Sequence, residues 1–321
     1  MSEQYALGVD IGGTKISVVL GNSRGKILAK IILPTLTGRK SREGITRLAE
    51  TLKHLKRSLG KRARLAGVGV GIPGPMNPMK GVVQRSPHLG GWEGFPLKRY
   101  LERAIKARVV IHNDANTAAL GERVFGGGKR TDNFAYLTIS TGIGGGLVAN
   151  GRLIEGSSFV GGEVGHMTIV PNGERCKCGK HGCLEAYASG TAIARYVEGE
   201  MRRGRPSRIR KYVPKKEKLE ARHVGLAARS GDRLAVKAYG RGGFYLGIGI
   251  ANLLNILNPE RVILGGGVLK SAPPAFWKSM QKSLKREAWP QAFRSAKVVK
   301  TRLNNRAGDL GALALVFLRP S

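Results

Sequence analysis

Two stretches of the chain more than a hundred residues apart share one arrangement, and this repetition restricts the fold more than any other feature. Residues 5–33, "YALGVDIGGTKISVVLGNSRGKILAKIIL", read as an apolar strand, a Gly-rich turn, a second strand, a turn at "GNSRG" and a third strand. Residues 133–156, "NFAYLTISTGIGGGLVANGRLIEG", repeat it. A repeated three-stranded unit predicts two related lobes. Around these units, apolar spacing predicts helices over 43–59 and 97–107, and a helix through "NDANTAALGERVFG". "LAGVGVGIPGP" at 65–75 and "RVVIH" at 108–112 read as strands. Helices are expected over roughly 185–258, a buried strand in "RVILGGGV" at 261–268, a helix over 275–288, and a helical tail in "AGDLGALALVFL". Strands alternating with helices give an α/β class. The lobes are expected to divide near 113–116: residues 1–113 with a tail of about 305–321 in a smaller lobe, and 114–304 in a larger one.

A chain of 321 residues is long enough for two domains, and its 41% hydrophobic content is ordinary for a globular protein. No charge-free apolar run approaches the ~20 residues of a membrane span. The best candidate, "FYLGIGIANLLNILN" at 244–258, reads as a buried helix. The start, "MSEQYALGVD", lacks the basic and apolar regions of a signal peptide, so a cytoplasmic location without membrane association is expected. The net charge of +34 is unusual, with basic residues densest over 201–223. Such a surface attracts polyanions, polyphosphate among them, or reflects a basic-biased proteome.

Several Gly-rich motifs suit phosphate chemistry. In "DIGGTK", Gly12 and Gly13 let backbone N–H groups approach phosphate oxygens, and Thr14 and Lys15 add a hydroxyl and a positive charge. Asp10, at the strand end, suits Mg²⁺ held through water. A glycine hairpin without a ligand has the same local sequence. "STGIGGG", with Thr141 and Gly142, is its counterpart in the second unit, and two such turns facing across a cleft would clamp a polyphosphate chain. In "LNPERVILGGGV", Gly265, Gly266 and Gly267 leave room for a flat adenine ring or for close backbone packing. "HNDAN" puts Asn113 and Asp114 where a strand gives way to a helix. Asp114 there is a helix cap or a base that accepts a hydroxyl proton.

All three cysteines, Cys176, Cys178 and Cys183, fall within eight positions. In a reducing compartment that pattern signals metal, and Zn²⁺ takes four Cys or His ligands. His166 and His181 are the candidates for the fourth. Glu163 and Glu185 flank the loop, as surface charges, groups behind the metal ligands, or acceptors for the hydroxyls of a polyol.

These motifs, in this order, resemble the ROK family (repressor, open reading frame, kinase) over about residues 5–315. They are "DIGGTK", "GIPGP", "NDANTAALGE", "STGIGGG", "GEVGHM", "CKCGKHGCLEAYASG" and "LNPERVILGGGV", with C-x-C-G-x-x-G-C-x-E the most specific. The resemblance implies a two-lobed actin-like ATPase fold built on ribonuclease-H-like units with a zinc-binding loop. It implies ATP- and Mg²⁺-dependent phosphorylation of a hexose, usually at the 6-hydroxyl, by a homodimer or homotetramer. It makes Asp114 the general base, and Asn113, Glu163, His166 and Glu185 sugar-binding residues. His166, Cys176, Cys178 and Cys183 become ligands of a structural Zn²⁺, and His181 a bystander. Zinc then pins the loop that holds His166 and Glu185 against the sugar. One position departs from the pattern: many ROK glucokinases read "APNLPGW" where this chain has "SPHLGGW", so that His88 replaces an Asn that often touches the sugar.

Within that resemblance, "GCLEAYASGTAIA" and "GGEVGHM" look most like glucokinases. N-acetylmannosamine and N-acetylglucosamine kinases share most of the motifs and stand as the alternative. A polyphosphate-dependent glucokinase would use the charge. A ROK transcriptional regulator would need a helix-turn-helix of several dozen residues ahead of the first phosphate loop; here only "MSEQ" precedes the first strand, so no specific nucleic-acid partner is expected.

Overall fold

The computed structural model describes residues 3–60, 63–84 and 89–318. The chain runs through β1 (Gln4–Ile11), β2 (Lys15–Asn22), β3 (Ile27–Pro34), α1 (Ser41–Arg57), β4 (Arg64–Ile72), β5 (Met76–Asn77), β6 (Val82–Val83), α2 (Leu97–Ile105), β7 (Val109–Asn113) and α3 (Asp114–Phe125). It continues through β8 (Phe134–Ile139), β9 (Ile143–Ala149), β10 (Arg152–Leu153), α4 (Glu185–Ala188), α5 (Gly190–Arg202), α6 (Ala221–Arg229) and α7 (Arg233–Leu257). Last come β11 (Arg261–Gly265), α8 (Gly267–Ser271), α9 (Pro274–Glu287), α10 (Pro290–Ser295), β12 (Lys297–Lys300) and α11 (Ala307–Phe317).

The repeat seen in the sequence is a repeat of topology. One sheet has the order β3-β2-β1-β4-β7 and the other β10-β9-β8-β11-β12, the same succession of first to fifth strand. In the first, β1 is antiparallel to β2 and parallel to β4, and β4 is parallel to β7. In the second, β11 is parallel to β8 and to β12, and β10 is antiparallel to β9. The third strand of the second unit is only two residues long. Chain contacts divide the molecule into one unit of Met1–Asp132, Gly146–Gly162 and Thr301–Ser321, and another of Asn133–Gly145 and Glu163–Lys300.

In the first unit, β1 and β4 lie inside the sheet, and their residues 6–9 and 65–72 are apolar or glycine on both faces, as expected of strands covered on both sides. Helix α1 lays Ile45, Leu48, Leu52 and Leu55 on the core with Leu7, Val9, Val18 and Val70. On the other face α11 comes so close that a Cβ on Gly69 would lie 1.8 Å from the carbonyl oxygen of Ala312. Gly67 and Gly69 of "GVGVG" thus make room for the C-terminal helix, whereas Gly71 makes room for Thr117 of α3. In the second unit α7 is the central helix and includes all but the last residue of the apolar run 244–258, with Leu246, Ile250 and Leu254 buried. Asp232 caps its start through the N–H of Ala235, and it stops at Asn258, in the left-handed conformation, just before Pro259. A Cβ on Gly243 would lie 2.1 Å from the carbonyl oxygen of Phe276, so small residues set the close approach of α9. Among the described residues, no helix is long and apolar enough to cross a membrane.

Candidate functional site

In the first unit the β1–β2 turn is closed by the N–H of Gly12 donating to the carbonyl of Lys15 at 2.9 Å. The Thr35 hydroxyl donates to the carbonyl of Gly12 at 2.7 Å and fixes the turn from β3. Gly13, Thr14 and Lys15 are exposed at its tip. Asp10 ends β1 below that turn, packed on Gly308 of α11, where a Cβ would lie 2.2 Å from its Oδ2. Burial, followed by the charges of Asp114 and Asp309, pushes the Asp10 carboxyl up to about 7, against the opposing charges of Lys30 and Lys15. Asp309 is itself 2% exposed and paired with Lys30 at 2.5 Å.

The strand-to-helix junction at β7–α3 separates two roles open to "ND". Asn113 is the cap: its Oδ1 accepts from the N–H groups of Ala115 at 2.9 Å and Asn116 at 3.1 Å. Asp114 is the first helical residue, and its Oδ1 also accepts from the N–H of Ala115, at 2.8 Å. The helix terminus favours the ionised carboxylate. The Asn113 Nδ2 lies against Gly74 of "GIPGP", 3.0 Å from where a Cβ would stand. Behind the junction, His112 Nδ1 accepts from the N–H of Asn113 at 2.8 Å. Its Nε2 is therefore the protonated nitrogen and donates to Glu155 at 2.7 Å. The His112–Glu155 pair and Asp309 were not foreseen from sequence, because each partner lies far along the chain.

In the second unit, the β8–β9 turn is closed by the N–H of Ser140 donating to the carbonyl of Gly142 at 2.8 Å. Glu185 reaches it: its Oε2 accepts from the N–H of Ile143 at 2.8 Å and lies 2.4 Å from where a Cβ on Gly142 would stand. A side chain at Gly142 would have to displace that carboxylate. Its other oxygen is 3.9 Å from the sulfur of Cys176. Glu163 stands just before a single 3₁₀ turn, Val164–His166, and its carbonyl accepts from the N–H of His166 at 3.0 Å.

That turn presents His166 to the cysteines. The candidate ligand atoms of His166, Cys176, Cys178 and Cys183 all lie within 4.8 Å of one another. Cys176 Sγ is 3.8 Å from His166 Nδ1, and Cys178 Sγ is 3.7 Å from Cys183 Sγ. Tetrahedral zinc with Zn–S bonds of about 2.3 Å sets ligand atoms about 3.8 Å apart, so the spacing fits. Burial, with neighbouring thiols adding to it, pushes the Cys183 thiol up to about 12. His181 takes no part: its Nδ1 lies 3.0 Å from the carbonyl oxygen of Gly173. The loop folds tightly on glycine, with Gly182 at φ +78° and no room for a Cβ beside the Val170 carbonyl.

A cavity of about 510 Å³ opens in the second unit beside Thr141, Gly190, Thr191 and Gly267. The three glycines of "GGGV" part company here. Gly265 is packed against Tyr136 and Gly266, at φ +101°, against the carbonyl of Ile139, whereas Gly267 lines the cavity. The remaining walls carry Arg195, Glu198, Lys218 and Arg222, which sequence patterns did not single out. His88 lies outside the described residues.

The chain matches the ROK family over residues 6–318. It is 38% identical over 316 residues to a glucokinase of Thermotoga maritima, covering 98% of each chain. It is 32% identical to a xylose repressor of Bacillus subtilis, covering 98% of this chain and 77% of the repressor. Among solved structures it resembles the ROK hexokinase from Thermus thermophilus, with a TM-score of 0.82, 35% identity, and coverage of 98% and 97%. It also resembles a ROK family glucokinase from Streptomyces griseus solved with glucose and AMPPNP, with a TM-score of 0.79, 30% identity, and coverage of 97% and 98%. With the repeated sheets and the complete Cys/His cluster, these likenesses assign the chain to the ROK family.

Proposed function

We propose that the chain is an ATP-dependent sugar kinase that transfers the γ-phosphate of ATP to the 6-hydroxyl of glucose in the cytoplasm. The observation that carries this reading is Asp114, a carboxylate in the first turn of α3 whose capping work is done by Asn113. Relatives and structural neighbours named glucokinase or hexokinase support the same class. In this reading the sugar 6-oxygen attacks the γ-phosphorus, its bond to phosphorus forms as the bond from phosphorus to the ADP oxygen breaks, and Asp114 takes the hydroxyl proton. Because the proton leaves late in such a transfer, an Asp favoured as an anion by a helix terminus is basic enough. Asn113 through Nδ2, with Glu163, Glu185 and His166, holds the sugar hydroxyls. The turns at Gly12–Lys15 and Thr141–Gly142 take the phosphates, and the cavity beside Gly267 takes the adenosine. Asp10 would hold Mg²⁺, which supplies charge neutralisation on the phosphate oxygens. His166, Cys176, Cys178 and Cys183 would hold zinc as a structural ion, since four protein ligands leave no position for an activated water.

The test is ADP release by the purified protein with Mg-ATP against glucose, mannose, fructose, N-acetylglucosamine and N-acetylmannosamine. Preference for glucose is expected. Preference for an N-acetyl sugar would keep the reaction and replace the substrate. Absence of turnover with every sugar, with ATP or polyphosphate as donor, would refute the kinase reading.

A further inference from the structure

The loop that bears the cysteines is anchored through Glu174. Each oxygen of its carboxylate is held by a different arginine: Arg195 of α5 donates to Oε2 at 2.6 Å, and Arg241 of α7 donates to Oε1. Arg241 is immobilised in turn, with its guanidinium 4.9 Å from the ring centres of Tyr187 and Tyr196 and 5.1 Å from that of Tyr245. The Tyr187 hydroxyl accepts from the N–H of Glu174 at 2.6 Å. Arg241 therefore serves the loop alone.

Arg195 is placed differently. The same Nη2 that holds Glu174 also donates to the carbonyl of Ala186, the residue after Glu185, at 2.7 Å. Both hydrogens of that nitrogen are thereby used. The Nε–H and Nη1–H₂ groups make no hydrogen bond among the described residues, and the side chain lines the 510 Å³ cavity beside Thr191 and Gly267. It also lines a second, much smaller cavity that reaches Cys176 and Glu185. One guanidinium thus bonds through Nη2 to the cysteine loop and to the neighbour of Glu185, on a residue that also lines the cavity.

We propose that Arg195 is a positioning residue that couples the cavity to the cysteine loop, so that nucleotide bound in the cavity tightens the loop's hold on zinc and on Glu185. The inference rests on the nucleotide reading of the cavity given above. The physical basis is shared ordering. A long, half-exposed arginine has rotamer freedom to lose, and a ligand that fixes it lowers the entropy cost of its bonds to Glu174 and Ala186. Coupling of this kind is reciprocal, so zinc must tighten nucleotide binding by the same factor.

The experiment measures zinc release from the purified, zinc-loaded protein into a chromogenic chelator, with and without saturating ADP, for the wild type, Arg195→Ala and Glu174→Gln. Calorimetry with ADP on the same samples reports cavity binding independently. In the wild type ADP should slow release by about five- to tenfold, the lower range of measured couplings. In both variants the ratio should fall below about twofold, the level at which coupling is effectively absent. Any effect of ADP as a chelator would persist in both variants and so cannot imitate this result. Glu174→Gln is isosteric and carries the test should Arg195→Ala fail to fold. ADP that binds the wild type without changing the release rate would overturn the coupling and leave the cavity reading standing, as would an undiminished ratio in Glu174→Gln. No ADP binding at all would overturn the cavity reading and the coupling with it.

Discussion

Replacing Asp114 by Asn separates chemistry from structure. Asn keeps an Oδ1 that can accept from the N–H of Ala115, the 2.8 Å bond that Asp114 makes. The cap itself belongs to Asn113 and is untouched. Loss of a carboxylate at a helix N-terminus costs about 0.3–1 kcal/mol. Part of this is offset because the Asp114 charge no longer opposes ionisation of Asp10. Stability should therefore change little. Turnover should not escape: an amide cannot take the hydroxyl proton, and loss of a positioned base lowers rates by about a hundred- to ten-thousandfold, or about 3–5 kcal/mol of transition-state stabilisation. The assay is ADP release at saturating glucose and ATP, with glucose affinity measured by calorimetry and folding by thermal unfolding. A variant with normal Tm, glucose affinity within a few fold of wild type and kcat reduced by that amount supports the assignment. A kcat within tenfold of wild type would refute Asp114 as the base.

Three further outcomes follow from the same geometry. The Asp10 carboxyl is raised above its unfolded value, so the folded protein binds a proton that the unfolded chain releases between pH about 4 and about 7; stability falls as pH rises through that window, by at most about 4 kcal/mol. Asp10→Asn should thus stabilise the magnesium-free protein at pH 8 and not at pH 4, and a pH-independent difference in Tm would contradict this. Cys178→Ser removes one of the four candidate ligand atoms; zinc content and sugar affinity should fall together, whereas a zinc-free variant with unchanged sugar affinity would remove the loop's organising role. Gly69→Ala drives a methyl into the Ala312 carbonyl and should cost about 3 kcal/mol or prevent folding, measured by urea unfolding, while a neutral effect would mean that α11 shifts freely.

Much of the site was legible in the residues because the physics that shapes it is local. The turns at "DIGGTK" and "STGIGGG" announce themselves through glycine, and the capping residues at "ND" through their short polar side chains. The close spacing of the cysteines signalled metal before any geometry was known. Other assignments stayed open for a physical reason. His166 and His181 were equivalent by spacing. Only the fold turns His181 to the Gly173 carbonyl and brings His166 Nδ1 to within 3.8 Å of Cys176. Likewise the three glycines of "GGGV" look alike in sequence, yet one packs on the Tyr136 side chain, one on the Ile139 backbone, and one lines the cavity.

The sequence by itself determined the repeated strand units, the helices, the Gly-rich turns and the gathering of all three cysteines in one loop that could hold a metal. Each follows from the period of apolar residues or from the conformational freedom of a few positions, which act over short stretches of chain. Tertiary structure alone decided which charged groups share an environment. Lys30 reaches Asp309 across 279 residues of sequence, and Glu122 accepts from Thr301 across 179. Arg241 meets Glu174 across 67. Such pairs depend on which helix face docks on which strand, and docking is set by the volume of glycines and the packing of cores far apart in the chain. The pattern of one segment carries no record of the other, so the charges around Asp10 and the clamp on the cysteine loop emerge only on folding.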